Sequence, residues 1–163
     1  MRVWLRACLA GLLLAATSAA CAPPVDLTKG LQILDVSTGW FDAGIVNGQN
    51  KLVPSISFKL KNASDQKLNV IQVNVLFKRI NDPAEWGSGF LSVVGSEGLA
   101  PGATTPTQTI RSNLGYTGSD QTRQDILVNS HFVDAKVEFS AKYGSAQWTR
   151  LADFPVTRVL ITN

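Results

Sequence analysis

The stretch HFVDAKVEFSAKY, residues 131–143, decides the fold. In it Val133, Ala135, Val137, Phe139, Ala141 and Tyr143 alternate with Asp134, Lys136, Glu138, Ser140 and Lys142. A period of two sends the two sets to opposite sides of an extended chain, the pattern of a strand with one face buried. Working outward, Pro54, Ile56, Phe58 and Leu60 alternate with Ser55, Ser57, Lys59 and Lys61. Ile71, Val73, Val75 and Phe77 are set against Gln72, Asn74 and Lys78 in the same way. Each large apolar side chain contributes roughly 1.5–3 kcal/mol when buried, so these three segments supply most of a core.

Turn chemistry punctuates the runs at the spacing of an antiparallel fold. Asn62-Ala63-Ser64-Asp65 offers side-chain oxygens that mimic a backbone turn, and Asn81-Asp82-Pro83 adds a fixed φ. Gly144-Ser145 suits a tight type II′ hairpin, and Gly87-Ser88-Gly89 a bulge or the start of a hairpin. Strands are expected near 31–37, 43–47, 52–61, 67–80, 87–95, 105–112, 131–143 and 146–161, with a break in the last at Asp153-Phe154-Pro155. In the crossover from 113 to 129, Ser119 is placed to cap a short helix running through Gln121, Arg123 and Ile126 to Leu127. The fold class is all-β, an antiparallel sandwich of two packed sheets with about 7–8 strands.

A family resemblance lies in the second and third of these segments. Phe58, Leu60, Asn62 and Leu68, followed by Val70, Val73, Val75 and Phe77, are similar to the strand-turn-strand core of bacterial FxLYD-type domains. Leu99-Ala100-Pro101-Gly102 looks like the later Pro-Gly turn of those domains, while Val75-Leu76-Phe77-Lys78 departs from the name-giving Leu-Tyr-Asp step. The resemblance implies an immunoglobulin-like sandwich on exported or lipid-anchored proteins, with no catalytic residues to carry over.

The start of the chain reads as an address. Arg2 and Arg6 precede an apolar run from Ala7 to Ala16 and a small-residue tail, Thr17-Ser18-Ala19-Ala20. Residues 1–20 therefore read as a signal peptide, with an apolar run too short to span a bilayer. Residues 21–30 read as a tether opened by Ala22-Pro23-Pro24, and residues 31–163 as the sandwich. Ala19, Ala20 and Cys21 resemble the lipobox of bacterial lipoproteins, with Ser18 where that family usually has an aliphatic residue. The resemblance implies a lipid on the Cys21 thiol and anchoring to a membrane. Ala22 in place of aspartate points, by the same resemblance, to the outer membrane. The alternative is cleavage after Ala20 to a soluble periplasmic protein. Cysteine arithmetic favours lipidation: only Cys8 and Cys21 are present, so the processed chain closes no internal disulfide. A lone thiol in an oxidising compartment is a liability unless modified.

Charge and composition exclude several functions. Without Arg2 and Arg6, thirteen basic residues face twelve acidic ones, which removes the electrostatic footprint of nucleic-acid binding. His131 is the only histidine, so no His/Cys set for a metal or haem is expected, nor any other cofactor. Without a Gly-x-Ser-x-Gly elbow, a hydrolase built on His131 is the least favoured reading. The aromatic residues keep a binding role open. Trp40 and Trp148 are expected in the core, while Trp86 and Tyr116, beside irregular segments, are the candidates for an exposed binding surface unless they close an end of the sandwich. The expected function is that of a non-enzymatic envelope lipoprotein serving as an interaction or structural module. Its partner would be an envelope protein met through loops 80–90 and 96–125 or an exposed sheet edge. A cell-wall or surface glycan is the alternative ligand.

Overall fold

The structure is a computed structural model that describes residues 24–162, so the signal segment and Cys21 lie outside the described residues. Among the described residues the chain forms α1 (Leu27–Gly30), β1 (Leu31–Val46), β2 (Gln49–Asn62), β3 (Ile71–Arg79), β4 (Gly87–Val94), β5 (Gln108–Arg111), β6 (Tyr116–Gly118), α2 (Arg123–Val128), β7 (Ala135–Tyr143), β8 (Thr149–Pro155) and β9 (Leu160–Ile161). One sheet has the order β5-β2-β1-β9, with β6 also paired to β2. The other has the order β4-β3-β7-β8. All pairings are antiparallel except β1 with β9. The sheets face each other over Trp40, Ile56, Phe58, Leu60, Val73, Val75, Phe77, Val137 and Phe139, all 0% exposed.

The alternating runs occupy the expected places. β3 and β7 pair over nine positions from Ile71↔Tyr143 to Arg79↔Ala135, with odd-numbered residues inward on both. Phe58 and Phe139 meet edge-on across the core at 4.8 Å between ring centroids. The turn after β2 is an Asx turn, with Ser64 N donating to Asn62 Oδ1 at 3.0 Å. Pro101-Gly102 turns with Gly102 at φ +75°, and Ala103 N donates to Ala100 O.

Several boundaries differ from expectation, each for a local reason. The stretches 31–37 and 43–47 are one strand, β1, interrupted by register shifts where Asp35 and Gly44 take positive φ. β1 then enters β2 through Asn47-Gly48, both at positive φ, the backbone a two-residue hairpin needs. The expected strand 131–143 begins only at Ala135, because Asn129 Oδ1 accepts from His131 N and closes a turn. The helix is capped not by Ser119 but by Thr122, whose side chain exchanges hydrogen bonds with Asp125 in a capping box. Gly87-Ser88-Gly89 is plain strand rather than a bulge. A Cβ on Gly87 would meet the Ser112 side chain and one on Gly89 the Ile110 side chain, so these glycines let the edges of the two sheets approach. Gly144 turns the chain as expected, but the ladder resumes only at Thr149, opposite Ala141. The run 146–161 divides after Pro155, and its last part joins the other sheet as β9. Leu27, from the stretch expected as tether, is 3% exposed and packs on the core.

Candidate functional site

Trp86 and Tyr116 come together, but around a buried ring rather than on an open surface. Tyr116 lies 5.0 Å from Trp86, 5.6 Å from Trp40 and 4.6 Å from Phe132, centroid to centroid. Trp40 is fully buried and meets Phe132 edge-on at 4.7 Å. The Tyr116 hydroxyl donates to Val133 O and accepts from Val133 N, both at 3.1 Å, so its polar end is satisfied within the chain. Both candidate residues are half-buried. They close one end of the sandwich, which is the physical reason for aromatic side chains beside irregular segments.

His131 is exposed and lines a cleft of about 230 Å³ with Tyr116, Thr117, Gln121, Ile126, Asn129 and Phe132. Those neighbours include neither a serine nor a carboxylate that could pair with an imidazole in general-base chemistry. Among the described residues no group of three or more His, Cys, Asp or Glu side chains could hold a metal ion.

Charge is concentrated on the outer face of the β4-β3-β7-β8 sheet. Glu138, only 8% exposed, accepts from Lys78 Nζ at 2.9 Å, Lys136 Nζ at 3.2 Å and Arg150 Nη2 at 3.2 Å. Asp153 braces Arg150 at 2.6 Å. The hydrogen bond from Lys78, supported by Lys136 and Arg150, holds the Glu138 carboxyl below the ordinary glutamate value of 4.5 against the opposing effect of burial. A carboxyl whose pKa is depressed on folding stabilises the protein above its unfolded pKa, and that stability is lost as pH falls through the folded value. Glu138→Gln should therefore lower stability at pH 7 and flatten the acid limb below about pH 4.5. Urea unfolding at pH 7 and pH 3 checks this, since the parent and variant curves should lie closer together at the lower pH.

Two exposed aromatic residues stand on that same face. Phe90 is 59% exposed and Trp148 42% exposed, and their rings meet edge-on at 6.2 Å. Trp148, expected in the core, faces outward because Thr149 pairs with Ala141, an inward residue, which turns Trp148 and Arg150 to the other side. The Lys142 ammonium lies 5.1 Å from the Trp148 ring centroid. Gln72, Asn74 and Ser140 lie beneath, half-buried, and among the described residues no side-chain hydrogen bond engages them. Phe90 and Trp148 are the site residues that sequence reading misses. Their signal was weak, because Phe90 sits between Gly89 and Leu91 in a strand without clear alternation.

Phe90 belongs to a sparsely guarded edge, met at one end by the Asn113 side chain on Ser88 N. Proteins blunt free sheet edges with charge, proline, bulges or short length. β8 carries Arg150, Asp153 and Pro155; β1 carries Asp35 and Asp42 with two register shifts. β5, β6 and β9 have four, three and two residues. β4, GSGFLSVV, is eight residues long with no charge and no proline, and its ladder with β3 is regular from Gly87 to Ser92, with one register shift beyond that, at Val93. Its other side has no strand partner among the described residues.

No family model matches the chain, and no curated protein matches it. A search of solved structures finds an X-ray structure of a Northeast Structural Genomics Consortium target with a TM-score of 0.46 and 12% identity, covering 80% of this chain and 89% of that one.

Proposed function

We propose that the protein is a non-enzymatic cell-envelope lipoprotein whose sandwich is an interaction module, engaging a protein partner by strand addition at a sheet edge. The single observation that carries this reading is β4, the one long edge strand among the described residues without charge or proline. Strand addition uses main-chain donors and acceptors for affinity and side-chain pockets for selectivity. The immunoglobulin-like form of the sandwich belongs to the same proposal. It is supported by the order β5-β2-β1 facing β4-β3-β7-β8, in which the second strand pairs with the first and fifth, and the third with the seventh. The envelope address and the lipid on Cys21 rest on the amino-terminal sequence. Intact mass of the processed protein tests them: a diacylglyceryl-modified Cys21 supports the anchor, and an unmodified amino terminus removes it.

A second reading, a cell-wall or surface glycan module, is favoured by one specific observation. Trp148 offers an exposed ring beside Lys142, above the unengaged polar side chains Gln72, Asn74 and Ser140. Such a ring flanked by polar groups suits stacking against a sugar. Trp148→Ala should then lower retention on isolated cell-wall polymer about 10-fold or more, the scale of 1–2 kcal/mol lost with one aromatic contact. Unchanged retention removes this reading. Trp86 and Tyr116 do not serve as its test, since their loss would disturb the packing around Trp40.

A further inference from the structure

We infer that the strand added to β4 is β4 of a second copy of this chain, antiparallel about a two-fold axis at Phe90. The inference rests on the strand-addition reading and names its partner. Strand parity comes first. Ser88 N–H points away from β3, to Asn113 Oδ1 at 3.3 Å, so the main-chain groups of Phe90 and Ser92 share that open side. The sequence of the edge is then nearly its own mirror: Ser88-Gly89-Phe90-Leu91-Ser92.

Pairing two such strands about Phe90 sets Phe90 against Phe90, Ser88 against Ser92, and Gly89 against Leu91. Ring meets ring, hydroxyl meets hydroxyl, and the position without a side chain meets a large one. The ring pair and the hydroxyl pairs are favourable cross-strand pairs of roughly 0.2–1 kcal/mol each, and the glycine leaves room for the leucine. An isologous contact also places any charge near its own copy, and like charges across a ladder are destabilising. β4 carries none. On the outer face each Phe90 already leans on Trp148, so the axis would gather four rings. The bond from Ser88 N to Asn113 is longer than the usual range of about 2.7–3.2 Å, and a carbonyl of the partner strand replaces it at little cost.

Two measurements in intact cells test this with the full chain. Phe90→benzoylphenylalanine is irradiated to capture whatever lies against β4. Separately, differently tagged Ser88→Cys and Ser92→Cys chains are co-expressed and oxidised. The expected results are a photoproduct of twice the chain mass and a disulfide between the two variant chains. Neither variant should form the bond with itself, because like positions would lie four residues apart, about 13 Å along the strand and beyond disulfide reach. Phe90→Lys added to both chains should cut the disulfide at least 10-fold while leaving the circular dichroism unchanged, as befits a residue 59% exposed. A photoproduct with a different protein only, or like-with-like disulfides, overturns the second-copy inference and leaves the strand-addition reading standing. No product of any kind from position 90 overturns both.

Discussion

Asn62→Asp is expected to destabilise the fold more than Asn62→Ala, although it changes a single amide to a carboxylate. Asn62 is fully buried at the end of β2. Its Nδ2 donates to Gln66 O at 2.7 Å and Leu99 O at 2.8 Å, and its Oδ1 accepts from Ser64 N and the Ser64 hydroxyl. Its main chain adds Asn62 N to Ala103 O and Gly102 N to Asn62 O, so one residue joins the Asx turn to the Pro-Gly turn. Removing the side chain takes one donor from the Leu99 and Gln66 carbonyls, which keep Leu68 N and the Ser64 hydroxyl, and takes the acceptor from Ser64 N. Four side-chain hydrogen bonds are lost at about 0.5–1.5 kcal/mol each, so Asn62→Ala should cost about 2–5 kcal/mol. Aspartate keeps the acceptor but turns the donor pair into an oxygen facing two carbonyl oxygens, and it brings a charge into a dry site. Burial and those carbonyls should raise its pKa. Stability of the variant should therefore be lowest at neutral pH and recover in part as pH falls and the carboxyl gains a proton to donate. Urea unfolding at pH 7 and pH 4.5 measures both effects. A neutral-pH cost under about 1 kcal/mol would show that the amide is not the tie between these turns.

Trp40→Ala should be the other severe change, costing about 3–5 kcal/mol by loss of a buried aromatic side chain and the cavity left behind. For a domain of this size that corresponds to a fall in Tm of about 10–15 °C. The ring is the hub on which Trp86, Tyr116 and Phe132 rest, so near-ultraviolet circular dichroism should change along with stability. Trp40→Phe separates two contributions. It keeps an aromatic ring but removes Nε1, a buried donor with no acceptor among the described residues. Losing an unpaired buried N–H offsets part of the lost packing, so Trp40→Phe should cost less than half as much as Trp40→Ala. Equal losses for the two variants in thermal unfolding would mean that the volume of the indole alone matters there.

Much of the fold is legible because strands and turns are written in short-range patterns. Val133 to Tyr143 reads as a half-buried strand from its period alone, and β7 pairs with β3 on the face that this period selects. The Asx turn at Asn62 and the turn at Pro101-Gly102 follow from local side-chain and backbone chemistry. Asn47-Gly48 is an equally local hairpin signal, which joins 43–47 directly to the next strand. The candidate site is less legible. The sequence leaves Trp86 and Tyr116 either exposed or closing an end of the sandwich, and the choice is made by Trp40, a contact between segments about 46 and 76 positions apart in the chain.

From its sequence alone this protein is a β domain with defined turns, three alternating central strands and an amino-terminal stretch that reads as an export signal. Only the tertiary structure decides which aromatic residues face water and which strand is left open. The exposure of Trp148 depends on the pairing of Thr149 with Ala141, and a one-residue slip would turn it inward. The openness of β4 depends on strand order, which no neighbouring residue encodes.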